Sequence, residues 1–265
     1  MADALEAALR RDRWIVIASL TAVTALAWVY LLVLANAMVS MGKPSGWHVF
    51  MDLMPMGRWG LLEFALGFAM WALMMVGMMI PSAAPMIVLY SRVARRAHAQ
   101  DRPLASTTAF AAGYLLTWSA FSLAAAALQC VLVDMTLVTE TMTSASRLLA
   151  GIVLIAAGLY QWTPLKDTCL AHCRSPFLFL SQHWRPGRSG ALRMGIEHGA
   201  YCVGCCWALM GVLFAVGIMN LLWIAAIAAF VLIEKAAPFG IWSRRVAGAL
   251  LVAWGAGILV GPGAS

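Results

Sequence analysis

The sequence predicts an all-α protein, a polytopic bundle of about seven membrane-spanning helices, and three observations support this prediction. Hydrophobic residues make up 63% of the 265 residues and charged residues only 11%, whereas a soluble domain carries about 25% charged residues. The hydrophobic residues are gathered into blocks close to the roughly 20 residues that cross a hydrocarbon core. Lys and Arg fall mainly between alternate blocks, as loops on one side of a membrane require.

Seven apolar blocks give the number of spans. They cover residues 14–37, 61–90, 107–133, 147–163, 195–218, 221–234 and 246–261. The fifth and sixth blocks are nearly contiguous, since only residues 217–220 separate them. Joining them into one span would place Lys235, Arg244 and Arg245 on the outer side, which fits the charge pattern less well. We therefore predict two spans here, within a single integral membrane domain over residues 1–265.

The distribution of basic residues sets the orientation. Fifteen of the 18 Lys and Arg residues lie in the N-terminal segment and in the loops after the second, fourth and sixth spans, and the other side has Lys43, Arg58 and Arg147. The positive-inside rule then places the N-terminus in the cytoplasm and the C-terminus outside. The net charge of +7 is thus a sign of topology, so the expected partner is the lipid bilayer and not nucleic acid.

The most informative segment is residues 195–207, with the sequence GIEHGAYCVGCCW. On a helix, its histidine and three cysteines fall within an arc of about 100°; they are His198, Cys202, Cys205 and Cys206. Imidazole and thiolate on one helix face are the ligands of zinc or of a cuprous ion. The segment is therefore a candidate metal site at the cytoplasmic start of the fifth span.

Two other interpretations of this segment remain open. Gly195, Gly199, Ala200 and Gly204 form a face of small residues on which another helix can pack closely. The motif 202–205 is also a CxxC, which is found in thiol redox proteins, although the βαβ context of thioredoxin-like proteins is lacking.

A second cysteine pair lies in residues 163–174, TPLKDTCLAHCR. Pro164 suits the first position of a helix and Asp167 its first turn. Cys169 and Cys173 are then i,i+4 neighbours, and they enter from the same side as Cys202. We predict that the two pairs face each other and complete a set of four ligands. The alternative is a solvated amphipathic loop whose reduced cysteines contact nothing.

Methionines are concentrated in the second span, within residues 70–86. Met70, Met74 and Met78 share one helix face, and Met210 lies one turn beyond Cys206. Thioether sulfur suits Cu(I), so these four residues are a candidate path for a soft metal. The alternative is that methionine serves here as a flexible core filler.

Two prolines interrupt the same span, and they are Pro81 and Pro85. Proline removes a helical hydrogen bond and crowds the preceding turn, so we expect a kink or an unwound segment. Unwound backbone inside a membrane is tolerated where it lines a cavity.

Several function classes are disfavoured by what the chain does not contain. No carboxylate falls in the middle of a predicted span, where a proton-coupled pump would be expected to carry one. The sequence also has no nucleotide-binding loop and no serine nucleophile motif. We therefore expect a binding protein in preference to an enzyme.

Four groups of residues match the motifs of one bacterial family. The matching positions are Trp71, Met74, Met75, Met79, Pro81 and Pro85; then Tyr160, Gln161, Thr163, Pro164, Leu165, Lys166, Cys169, Cys173, Arg174 and Pro176; then Gly195, His198, Gly199, Tyr201, Cys202, Gly204, Cys205, Cys206 and Trp207; and last Met219, Asn220, Glu234 and Lys235. Over roughly residues 60–240 the chain resembles the predicted metal-binding integral membrane proteins of the domain of unknown function numbered twenty-one eighty-two. The resemblance implies metal binding at Cys169, Cys173, His198, Cys202, Cys205 and Cys206.

Together these observations predict a bacterial inner-membrane protein that binds a soft transition metal at its cytoplasmic face. Cu(I) is preferred to zinc because of the methionines, and copper delivery or homeostasis is the expected role. One alternative is a membrane thiol oxidoreductase that uses Cys202 and Cys205. Another is a non-catalytic subunit or assembly factor with a partner in a larger membrane complex.

Overall fold

The computed structural model describes residues 2–39, 60–97, 103–137, 146–237 and 240–261. Within these ranges every regular element is an α-helix, which confirms the predicted all-α class for this part of the chain. The helices are α1 (Ala2–Val39), α2 (Leu61–Ala97), α3 (Pro103–Asp134), α4 (Arg147–Tyr160), α5 (Pro164–Arg174), α6 (Pro176–His183), α7 (Gly187–Val216), α8 (Leu221–Ala236) and α9 (Gly240–Val260). Lys43, Arg58 and Arg102, which contribute to the charge asymmetry, lie outside the described residues.

Five of these helices are long and apolar enough to cross a membrane, namely α1, α2, α3, α7 and α9. A sixth crossing arises if α4 and α5 are taken as one span, bent by 64° between them. Helix α8 has 16 residues and is about 24 Å long at a rise of 1.5 Å per residue, which is less than the roughly 30 Å of a hydrocarbon core. The described helices therefore give five or six candidate spans, where the sequence predicts seven.

The ends of α7 explain where the sequence boundaries held and where they did not. The helix begins at Gly187 and not near residue 195, because its polar first turns are stabilised by Glu197, which accepts hydrogen bonds from Arg185 and Arg193 at 3.2 Å each. It ends at Val216, where Gly217 adopts a φ of 106°. The predicted break before the next span is thus confirmed, but the cysteine segment lies in the middle of α7 and not at its start.

Helix α2 continues through both prolines, so the predicted unwinding is wrong. Pro81 has no N–H, so the carbonyl of Gly77, four residues earlier, lacks its usual helical donor. It accepts a hydrogen bond from Trp28 Nε1 at 3.2 Å instead. A neighbouring helix therefore satisfies the backbone group that proline frees, as is common in membrane helices. The carbonyl of Met79, which no proline deprives of its helical donor, also accepts a hydrogen bond from Tyr114 Oη at 3.2 Å.

Helix α7 is the centre of the bundle and packs against α3, α4, α5 and α8. Its approach to α3 is closest, since a Cβ at Gly195 would overlap the carbonyl oxygen of Phe110 and one at Gly113 would overlap that of Leu192. Small residues that let two backbones meet are typical of membrane helix pairs. Of the small-residue face predicted on α7, Gly195 and Gly199 therefore pack against α3, whereas Gly204 packs against Cys169 and Ala200 is exposed.

A matched pair of glycines on α7 tests this packing. Gly195→Ala should lower the free energy of unfolding by about 1–3 kcal/mol, because the added methyl group meets backbone that cannot move aside. Gly211→Ala is the control, since a Cβ there has no neighbour within 4 Å among the described residues and should gain up to ~1 kcal/mol of helix propensity. Thermal unfolding in detergent measures both. Equal stabilities of the two variants would contradict the close α3–α7 contact.

Candidate metal centre

Three cysteines of α7 form a sulfur cluster inside the bundle. Cys202, Cys205 and Cys206 are each at most 1% exposed, because the i, i+3 and i+4 spacing turns them all to the same side of the helix. The thiols of Cys205 and Cys206 donate to the carbonyl oxygen of Cys202, at 3.1 and 2.9 Å. Helical periodicity alone thus creates a buried site rich in thiol groups.

Helix α5 adds its own cysteines to this cluster. The helix begins after Thr163, whose Oγ1 accepts the backbone N–H of Lys166 at 3.3 Å, as an N-cap residue does. The side chain of Cys173 is then close enough to those of Cys202 and Cys205 to interact with them, and Cys169 packs against the same turn of α7 at Gly204. The two cysteine pairs therefore lie close together, and the interpretation as a solvated loop without contacts is wrong, whereas a shared set of four ligands stays a prediction.

Cys169 approaches α7 through a glycine. A Cβ at Gly204 would lie 2.7 Å from Cys169 Sγ, so only glycine permits this contact. Tyr160 Oη donates to the carbonyl oxygen of Gly204 at 2.5 Å, which fixes the end of α4 against the same turn. The packing of α4 and α5 against this turn of α7 thus fixes the positions of both cysteines of α5.

The sulfur of Cys202 has two polar neighbours from other helices. Tyr114 Oη lies 3.1 Å from it, and Lys235 Nζ donates to it at 2.9 Å and to Ser82 Oγ at 3.0 Å. An ammonium group at this distance favours negative charge on the sulfur. Sequence reasoning missed these residues because it treated Lys235 as a charge at the end of a span; an ionisable residue bordering an apolar segment was the signal available.

His198 is buried beside the cluster, with 3% of its surface exposed. Its ring packs against Phe110, Tyr114 and Phe179, with ring centroids 5.2–6.1 Å apart. Its Nδ1 atom has no hydrogen-bond partner among the described residues. Because an unpaired buried polar atom is costly, this nitrogen is the kind of group that a bound ion would satisfy.

The candidate methionines are all in the core, since Met70, Met74, Met78 and Met210 are each at most 2% exposed. The thioether that reaches the thiols belongs to another methionine of α2. Met79 Sδ lies 3.9 Å from Cys206 Sγ. Helix α2 therefore contacts the sulfur cluster through Met79.

Within the described residues, no three His, Cys, Asp or Glu side chains are arranged as they stand to hold a metal ion. The reason lies in the hydrogen bonds, because Cys205 and Cys206 turn to a carbonyl group and Cys202 turns to Lys235 and Tyr114. The donor types nevertheless suit a soft ion, since buried thiols, a thioether and an imidazole occur on the neighbouring helices α2, α5 and α7. Rotation of the thiols away from these partners is what such an ion requires.

A buried ion pair holds α5 to α8 next to this cluster. Both carboxylate oxygens of Glu234 lie 2.9 Å from Lys166 Nζ, and the two side chains are 2% and 0% exposed. Gln161 Oε1 also accepts a hydrogen bond from Lys166 Nζ. Lys166, counted from the sequence as a loop charge, is thus a core residue that ties the helix of Cys169 and Cys173 to the residue before Lys235.

The fold and the site define a helical protein with membrane-length helices around a buried sulfur cluster. A family model described as a copper chaperone, PpoB2, matches residues 68–258, which is well over half of the chain. The chain therefore belongs to the PpoB2 copper chaperone family, and its role is related to copper. This agrees with the metal-related family that its motifs imply. Neither a curated protein nor a solved structure matches the chain.

The ion pair can be tested by a double-mutant cycle. Lys166→Met should lower the free energy of unfolding by about 3–5 kcal/mol, because it leaves a buried carboxylate without its partner. Adding Glu234→Gln should recover most of this loss, because the uncompensated charge is then gone. Thermal unfolding of both single variants and the double variant measures the coupling. Additive losses would show that the two groups do not interact.

Proposed function

We propose that this protein is a membrane copper chaperone that binds Cu(I) at the sulfur cluster of α5 and α7. The observation that carries the proposal is the proximity of Cys173 on α5 to Cys202 and Cys205 on α7, which lie 29 and 32 positions further along the chain. Cys206, with Met79 beside it, completes the sulfur donors, and Cys169 and His198 lie at the edge of the set. Thiolate and thioether ligands select Cu(I) among biological metals.

The charge at Cys202 supports Cu(I) over zinc. Lys235 Nζ contacts the Cys202 sulfur at 2.9 Å, so one positive charge already stands beside this thiol. A cuprous ion needs only one thiolate to balance its charge, whereas a zinc ion needs two. Zinc would add a further positive charge to a buried site, where an uncompensated charge is costly.

We further propose that the cluster faces the cytoplasm from the inner membrane, with seven spans, an inside N-terminus and an outside C-terminus. The asymmetry of Lys and Arg supports this orientation. The apolar helices α1, α2, α3, α7 and α9 support a lipid environment. Copper bound on the cytoplasmic side is then cargo for a recipient protein, which is the expected partner in a membrane complex.

A second candidate function is thiol oxidation and reduction by Cys202 and Cys205. The observation that favours it is the same ammonium contact at Cys202, since a positive neighbour is typical of reactive cysteines. The two functions differ in what the purified protein contains. The first requires stoichiometric copper, and the second requires a redox-active dithiol without metal.

Anaerobic titration with Cu(I) against a chromogenic chelator tests the proposed site. The wild-type protein should bind copper, and Cys202→Ser should abolish binding at the cluster because a hydroxyl is a poor ligand for a soft ion. Met79→Leu preserves volume and should weaken binding roughly tenfold if the thioether contributes. Cys130→Ser is the control, because Cys130 lies on α3 beside Asp134 and is not one of the cysteines of the cluster.

The same titration separates the alternatives. If copper handling is unchanged when Met70, Met74 and Met78 are all replaced by Leu, these three methionines serve only to pack the core. Preference for zinc would contradict the choice of metal. A reversible dithiol in Cys202 and Cys205 with no bound copper would overturn the proposal in favour of the redox function.

Reporter fusions test the proposed orientation. A reporter active only outside the cytoplasm should be active after Ser265 and inactive at Arg188, in the segment before the cysteines of α7. The charge asymmetry gives this expectation. A cytoplasmic signal from the C-terminal fusion would contradict it, and it would favour an even number of spans.

A further inference from the structure

Two histidines outside the sulfur cluster lie side by side near its edge. His172 on α5 and His183 at the end of α6 are both half-buried, with ring centroids 6.3 Å apart and ring planes at 72°. His172 directly precedes Cys173, whose thiol reaches the buried Cys202. The two imidazoles are therefore more exposed than the thiols of α7.

Hydrogen bonds fix which nitrogen of each ring is available. The Nδ1 atom of His172 lies 2.8 Å from the carbonyl oxygen of Thr168, and that of His183 lies 3.2 Å from the carbonyl oxygen of Phe179. A carbonyl oxygen can only accept, so Nδ1 carries the proton in both rings. Each Nε2 then carries the lone pair. A histidine that donates one nitrogen to a backbone carbonyl and offers the other is the usual form of a metal ligand.

Aromatic stacking also holds both rings in place. His172 stacks on Tyr201 with centroids 4.1 Å apart and planes at 3°, and His183 stacks on Phe179 at 4.7 Å and 12°. Each imidazole is thus held by the hydrogen bond at Nδ1 and by the aromatic ring stacked on one of its faces. The Nε2 atom takes no part in that stacking. Rings positioned before the ligand arrives lose little freedom on binding.

The separation of the rings fits one shared ion. A ring centroid lies about 1.1 Å from Nε2, and nitrogen binds a metal at about 2.0–2.1 Å. Two imidazoles on opposite sides of an ion therefore have centroids at most roughly 6.2–6.4 Å apart, so the observed 6.3 Å lets both rings reach one ion when both Nε2 atoms face it. A d¹⁰ cuprous ion accepts such a low coordination number, and imidazole is among its ligands.

We propose that His172 and His183 form a second, outer copper site that takes up Cu(I) and passes it to Cys173 and Cys202. The transfer rests on the proposed function, whereas binding at the outer site depends only on the two imidazoles. The step is a ligand exchange in which copper stays Cu(I). Two neutral Nε2–copper bonds break, two sulfur–copper bonds form, and each thiol that becomes a thiolate releases its proton to water.

The first experiment isolates the outer site. In a variant with Cys169, Cys173, Cys202, Cys205 and Cys206 all replaced by Ser, added Cu(I) should bind at about one equivalent with nitrogen ligands in X-ray absorption. His172→Phe or His183→Phe in that background keeps the stacked ring and removes the nitrogen, and should abolish this binding. Gln182→Ala, an exposed neighbour of His183, is the control. A folded five-serine variant that binds no Cu(I) would overturn the proposal.

The second experiment uses the intact cluster and does not depend on the five-serine variant folding. In the otherwise wild-type protein, the double variant His172→Phe/His183→Phe should slow copper transfer from a chelator at least about tenfold and leave the final copper content unchanged. An unchanged rate would overturn the proposal. If the thiols bind no copper but nitrogen-only binding persists, the proposed chaperone site fails and the outer site remains.

Discussion

The sulfur cluster depends on how closely α3 approaches α7. Glycines at 113 and 195 let the two backbones meet where any larger side chain would overlap a carbonyl oxygen. That contact brings Tyr114 next to the turn that carries Cys202, so its hydroxyl lies 3.1 Å from the sulfur. It also encloses the ring of His198 between aromatic side chains of α3. The small-residue interface and the candidate ligands are therefore two faces of one helix, each of which requires the other.

Charged groups on α8 extend this arrangement to the other helices. Glu234 is paired with Lys166 of α5, and the next residue, Lys235, contacts Ser82 of α2 and Cys202 of α7. Charges in a membrane-embedded bundle are costly unless they are paired, so each contact fixes the position of the helix that supplies the partner. The end of α8 thereby holds the cysteines of α5 and α7 at one place, although it contributes no sulfur itself.

Local patterns in the sequence were sufficient for the long helices, for the helix start at Pro164 and for the turn at Gly217–Asn220. They also predicted that Cys169 and Cys173 lie near Cys202 and Cys205. Helical spacing puts each pair on one helix face, and the charge pattern puts both pairs on the same side of the membrane. They did not give the start of α7, since hydropathy does not register the polar turn that Glu197 stabilises. They also did not give the contact of Lys235 with Cys202, which joins residues 33 positions apart and arises only when the helices pack.

The candidate donors differ in burial. The imidazoles of His172 and His183 and the thiol of Cys173 are half-buried, whereas the thiol of Cys202 and the thioether of Met79 are fully buried. Hydration is lost at the buried donors, so a positive ion must find compensating charge in the protein. A thiolate supplies that charge, whereas a thioether is neutral and supplies only polarisable electrons. If the protein binds Cu(I) as proposed, the most favourable position for the ion is therefore at the thiols, with Met79 as an additional ligand.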